Sequence, residues 1–205
     1  MQDGEIATRD ACTTPLLVGD IQGTAPHGTL ETTGLVEDTE HELPRAKESA
    51  MEKLPPIAKV YEAWSALADG RVKLHPDERR ATVTSSNGEK EYTVSWGEDG
   101  AAYSSNDNAT YWQGYAGYPV IAVLMEQGEL PLDRAAAEAF AHVDWTCLNE
   151  RFRRNYAAAV AHVVAERGLD AARVEAAAQT AYDALAALDL AVKRGSVRPP
   201  RAKKA

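Results

Sequence analysis

The hydrophobic period of this chain lengthens from two residues to three or four at the stretch before Pro119, and that change limits what it can fold into. From Arg71 to Ser105 apolar and polar side chains alternate, the two-residue repeat of half-buried strands. From Pro119 onward apolar residues recur every three or four positions, the repeat of helices. Val72 and Leu74 alternate with Arg71 and Lys73. Ala81, Val83 and Ser85 alternate with Thr82 and Thr84, and Tyr92, Val94 and Trp96 follow on a returning strand. Asn87-Gly88 between them reads as a two-residue hairpin turn. The pattern predicts an antiparallel meander of three or four strands with one apolar face that must be covered. Ile57, Val60, Tyr61, Trp64, Leu67 and Ala68 fall at helical spacing, so the covers are a helix over 57–69, with Trp64 as a core anchor, and a second over 119–127.

The junction, Ala101 to Leu130, contains four of the eight tyrosines. Asn106, Asp107 and Asn108 bond to nearby backbone and favour turns and helix caps. Pro119 suits a first helical turn, Val120, Ile121, Val123 and Leu124 form an apolar stripe, and Gly128 is a natural stop. The expected order is strand, aromatic loop, short buried helix. Beyond Pro131 the spacing predicts helices over 132–143, from Asp144 through Glu166, and from Asp170 to Arg194, packed as an alanine-rich antiparallel bundle. The fold class is therefore α+β. An α+β module over 54–130 is followed by a helical bundle over 131–194.

The ends differ in charge. Residues 1–53 hold eleven Asp or Glu against four Lys or Arg and few large apolar side chains, so a disordered acidic tail is expected. Lys193 to Ala205 has six basic residues and no acid, and residues 195–205 read as a basic tail. The formal net charge of −9 argues against bulk nucleic-acid affinity but leaves room for a local basic patch. There are two cysteines, Cys12 and Cys147, and no basic-then-apolar leader. No apolar run approaches a membrane span in length, so a cytoplasmic protein without membrane association is expected.

Two hairpin strands, Arg79–Ser85 and Glu91–Trp96, precede a loop and an apolar helix that reads Pro119-Val120-Ile121-Ala122-Val123-Leu124. This order resembles the SWIM zinc-binding module, whose pattern is Cys-x-Cys, a variable loop, then Cys-x-His at the start of such a helix. The ligand positions of that pattern correspond to Tyr103, Ser105, Gly117 and Pro119, none of which is a zinc ligand. The resemblance thus implies a module without metal, with Tyr103, Tyr111, Trp112, Tyr115 and Tyr118 packing in its place. It also implies the general role of such modules, interaction with DNA or protein.

Other chemistry finds little support. His142 and His162 are two side chains, short of a metal site. No Gly-x-Ser-x-Gly nucleophile elbow and no phosphate-binding glycine loop occurs. Asp107 lies among aromatics, an arrangement known from sugar sites, but no second acid is placed beside it, and capping is the expected job. What remains is aromatic plus basic: Tyr111 and Trp112 as stacking groups, and Arg151, Arg153, Arg154, Arg198, Arg201, Lys203 and Lys204 as phosphate contacts. The expected function is a non-catalytic binding or adaptor protein, associated with DNA or RNA, with no cofactor. The alternative is a protein-interaction or assembly role, with a protein partner or a homo-oligomer formed through the alanine-rich helices.

Overall fold

The computed structural model describes residues 53–201, which fall within one unit of the chain, residues 49–205. The acidic tail expected over 1–53, Lys53 excepted, lies outside the described residues, as do Lys203 and Lys204.

Helix α1 (Ala58–Ala68) is followed by β1 (Val72–His75), β2 (Arg80–Thr84), β3 (Glu91–Trp96) and β4 (Ala102–Ser105). These four strands form the expected antiparallel meander, in register Val72↔Val83, Val83↔Tyr92 and Val94↔Ser105. The period-two pattern does what it must in such a sheet. Ala81, Val83, Tyr92, Val94 and Tyr103 are buried, while Thr93 is exposed and Ser95 and Ser104 share a hydrogen bond of 2.9 Å on the other face. The hairpin loop is longer than Asn87-Gly88 alone. Ser85 N donates to Lys90 O at 2.8 Å, so four residues, with Gly88 at φ 74°, make the turn.

After β4 come α2 (Asn108–Gln113) and α3 (Tyr118–Glu126). Helix α2 replaces the expected aromatic loop, because Asp107 Oδ1 accepts from the backbone N–H groups of Ala109 (2.9 Å) and Thr110 (3.1 Å) and nucleates a turn. In α3 every residue from Pro119 to Met125 is buried. It packs against β1, β3 and β4 on one side and α1 on the other, so α1 is also buried all round from Ala58 to Ala66.

The helical half departs from the expected three long helices. It contains α4 (Arg134–Glu138), α5 (Trp145–Arg151), α6 (Tyr156–Glu166) and α7 (Ala171–Ala187). The first predicted segment is cut short after α4. His142 sits at φ 57°, and its N–H donates to Asp69 Oδ1 at 2.7 Å, a tertiary anchor that ends the helix. The segment from Asp144 to Glu166 is broken in two. Arg153 and Arg154 adopt positive φ of 50° and 65°, and Asn155 starts a new helix by accepting from Ala158 N. Asp144 and Asp170 cap α5 and α7 as expected, accepting from Cys147 N and Arg173 N.

The last predicted helix ends seven residues early. Residues 191–194, assigned to the bundle by spacing, form β5 (Ala191–Arg194), which lies parallel to β4 in register Ala102↔Ala191 and Ser105↔Arg194. The sheet order is β1-β2-β3-β4-β5. Strand β4 would otherwise be an edge with unpaired backbone groups, and β5 satisfies them. Helices α4, α6 and α7 pack on α1, and one continuous core runs from Val83 and Val94 in the sheet through α1 and α3 to Val163, Ala178 and Leu185. An aromatic cluster fixes its centre: Tyr61 stands 5.3 Å from Trp64 and 5.1 Å from Phe140, and Trp145 stacks on Phe140.

Candidate functional site

A cavity of about 730 Å³ opens where α1, the β2–β3 turn, α2, the start of α3 and α5 converge. Its volume lies in the range of small-molecule sites. Helix α1 contributes Lys59 and Glu62, β3 contributes Tyr92, and the cap of α2 contributes Asp107. Tyr115 comes from the approach to α3, Tyr118 from its first turn, and Trp145 and Asn149 from α5. The exposed residues Asn108, Trp112, Gln113 and Arg154 form its outer rim.

Lys59 and Glu62, one helical turn apart, form a buried ion pair. The ammonium reaches both carboxylate oxygens at 2.8 Å, and the Asn149 amide donates to Glu62 Oε1 at 3.1 Å. Lys59 Nζ also sits 4.4 Å above the Tyr156 ring, a cation–π contact. Burial pulls the Lys59 pKa down, but Glu62, by charge and hydrogen bond, outweighs it, and the net shift is upward. Lys59 is therefore held as an ammonium. Arg71 is also engaged: its guanidinium bonds Asp69 Oδ2 at 3.0 Å, Thr84 O at 2.8 Å and Ser65 Oγ at 3.0 Å.

The tyrosines stay neutral far into the alkaline range. Burial, then the charges of Asp107 and Glu62, push Tyr92 up to about 12. Burial likewise raises Tyr118 well above its ordinary value, with Tyr92, Glu62 and Asp107 adding to it and Arg71 opposing. Tyr115 rises by burial, against the opposing charge of Lys59. These groups are phenol donors and acceptors at neutral pH.

Asp107 has two different oxygens. Oδ1 caps α2, while Oδ2 is buried and has no hydrogen-bond partner. The carboxylate packs against Gly117, where a Cβ would lie 2.1 Å from Oδ1, so glycine there is a condition of the site. Tyr118 Oη, Trp145 Nε1 and Asn149 Oδ1 are also buried without a partner. Four of the five such atoms among the described residues thus belong to residues lining this one cavity; the fifth, Trp64 Nε1, lies in the core. Buried polar atoms are normally bonded, so this concentration is a property of the site.

The predicted site residues are only partly brought together. Trp112 is 63% exposed and meets Tyr111 edge to face, with centroids 4.7 Å apart. Both Trp112 and Arg154 line the cavity. Arg153 is exposed with its neighbour Arg154, whereas Arg151 Nη1 lies 3.4 Å from His162 Nε2 and its guanidinium packs 5.5 Å from the Phe152 ring. Arg198 and Arg201 are exposed. Arg194 stands 6.0 Å from the Tyr111 ring. Of the positions aligned with zinc ligands, Tyr103 donates to Gln127 Oε1 at 2.7 Å, Ser105 Oγ accepts from Asp107 N at 3.1 Å, Gly117 holds the Asp107 carboxylate, and Pro119 opens α3. Among the described residues no group of three or more His, Cys, Asp or Glu side chains is placed to hold a metal. No helix among them is long and apolar enough to cross a membrane.

Sequence reasoning passed over Lys59, Glu62, Tyr92, Trp145 and Asn149. One signal was present: Lys59 and Glu62 interrupt a helix whose other residues from Ala58 to Ala66 are apolar except Ser65. Charges at i and i+3 in an otherwise buried helix mark an internal polar site.

Fold and cavity together define an α+β protein with a polar, aromatic-walled site between its sheet and its helices. The chain belongs to the family described as uncharacterised conserved protein UCP014422, whose model matches residues 52–191 and so spans α1 to the start of β5. No curated protein and no solved structure matches the chain.

Proposed function

We propose that this is a non-catalytic binding protein that takes a small polar organic molecule into the cavity. The observation behind this reading is the cavity of about 730 Å³ itself, lined by Lys59, Glu62, Asp107 and Asn149 together with Tyr92, Tyr115, Tyr118 and Trp145. Mixed polar and aromatic walls of this kind suit a small molecule that carries both polar groups and apolar surface. The ionisable groups suit binding: an ammonium already paired, and phenols that keep their protons. Trp112 and Trp145 line the cavity and serve as reporters. Titration with a panel of amines, sugars, nucleotides and amino acids is expected to give a saturable change in tryptophan emission together with a rise in melting temperature. Thr146→Trp, which fills the cavity from α5, is expected to abolish both. A panel without any saturating member removes the proposal.

A second reading keeps the nucleic-acid association implied by the SWIM resemblance. It rests on the exposed Trp112 beside Tyr111, with Arg194 over that ring. Exposed aromatics with a guanidinium nearby stack on single-stranded bases. Alanine at Arg151, Arg153 and Arg154 is expected to weaken single-strand binding and lower its salt slope by about one per lost phosphate contact. Unchanged affinity and slope would count against it. The assembly alternative is read from the same sample by light scattering, where concentration-dependent mass supports it.

A further inference from the structure

We propose that the cavity takes a zwitterion: a small organic ammonium whose far end carries a phosphate or carboxylate. This assignment rests on the binding role argued above and adds the ligand's chemistry to it.

The charges of the site leave two groups over. Lys59 is matched by Glu62, with both N–O distances at 2.8 Å. Arg71 is matched by Asp69 at 3.0 Å. Asp107 is 4% exposed and forms no ion pair; one oxygen caps α2 and the other is unpartnered. A buried carboxylate without a counter-ion is stabilised by a cation brought near it. At the rim, Arg154 is exposed; its backbone N–H donates to Asn149 O at 2.8 Å, and its guanidinium forms no ion pair with an acid among the described residues. A guanidinium is suited to the oxygens of a phosphate or carboxylate.

Much of the remaining wall is aromatic. Tyr92 and Tyr118 meet at 89° with centroids 6.1 Å apart, forming two sides of a corner. Tyr115 lines the same space, and the charge of Asp107 acts on all three phenols. Ring faces beside a carboxylate attract an organic ammonium. The cavity already holds one ammonium in this way, Lys59 over Tyr156 at 4.4 Å. A neutral sugar would satisfy the hydroxyl and amide groups but leave Asp107 and Arg154 uncompensated.

The test is calorimetric titration of the full chain with choline, phosphocholine, glucose and uridine monophosphate. Phosphocholine is expected to bind about tenfold more tightly than choline, and glucose not to bind. Asp107→Asn keeps a cap oxygen and removes the charge, and is expected to weaken both amines about tenfold or more. Arg154→Ala is at an exposed position and is expected to erase the advantage of phosphocholine without changing choline. If Asp107→Asn does not fold, the Arg154→Ala comparison decides alone. Binding of glucose or the nucleotide with no binding of either amine overturns the zwitterion and leaves the binding role standing. Amine binding indifferent to both substitutions overturns the assignment to this cavity. Silence from all four probes overturns the zwitterion, and the wider panel then decides the binding role.

Discussion

Gly117 and Glu62 show how much of the site depends on single atoms. At Gly117 a methyl group would fall 2.1 Å from Asp107 Oδ1 and 2.7 Å from Oδ2. Gly117→Ala must push the carboxylate away and loosen the α2 cap with it. A loss of about 1–3 kcal/mol is expected, read as a lower urea midpoint with an unchanged slope. Glu62→Gln leaves the Lys59 ammonium 7% exposed without its counter-ion. Removing one member of a buried pair is expected to cost about 3–5 kcal/mol, and the double change Lys59→Met with Glu62→Leu less than half of that. Equal costs for the single and double variants would mean that the pair is not desolvated as described.

At the scale of elements, β5 is the part whose removal says most. Its four residues close the β4 edge, and Gly195 continues the pairing, its N–H donating to Ser105 O at 2.7 Å. Gly195 lies so close to the Ser105 backbone that a Cβ would meet it at 3.0 Å. A chain ending at Leu190 exposes the β4 edge, and such edges pair with other chains. The truncated protein is expected to associate in a concentration-dependent manner on size exclusion, with the longer chain serving as control. A truncated protein that elutes unchanged would show that β5 is dispensable. The same element explains a misread helix. Nothing between Leu188 and Arg194 stops a helix by spacing alone; the free edge of β4, distant in sequence, competes for those residues and wins.

Over the whole molecule, burial of tyrosine sets the alkaline limit. Five of the eight tyrosines, Tyr61, Tyr92, Tyr103, Tyr115 and Tyr118, have pKa values raised by burial, Tyr92 to about 12. A raised folded-state pKa gives stability that is complete below the unfolded value of 10.0 and is lost as pH climbs through the folded value. Lys59 acts in the same direction from 10.5 upward. Stability is therefore expected to be flat near neutrality and to fall from about pH 10, with these tyrosines ionising late in an absorbance titration. Ionisation of all eight near the ordinary value, with the fold intact, would contradict the burial described.

The meander, the capping acids Asp144 and Asp170, the buried α3 and the α+β class were legible in the chain alone, because each depends on neighbours within a few residues. Alternation specifies a strand face, and a carboxylate bonds amides two or three positions on. The break at Arg153 and Arg154, the early end of α4 at the Asp69 anchor and the conversion of 191–194 to a strand depend on partners far away in sequence. The site divides in the same way. Asp107 and the tyrosines stood out locally, but the cavity exists only because α1 and α5 bring Lys59, Glu62, Trp145 and Asn149 to the same place. Packing decides which polar atoms are left without partners, since that depends on every surface that closes around them, and no local pattern encodes it.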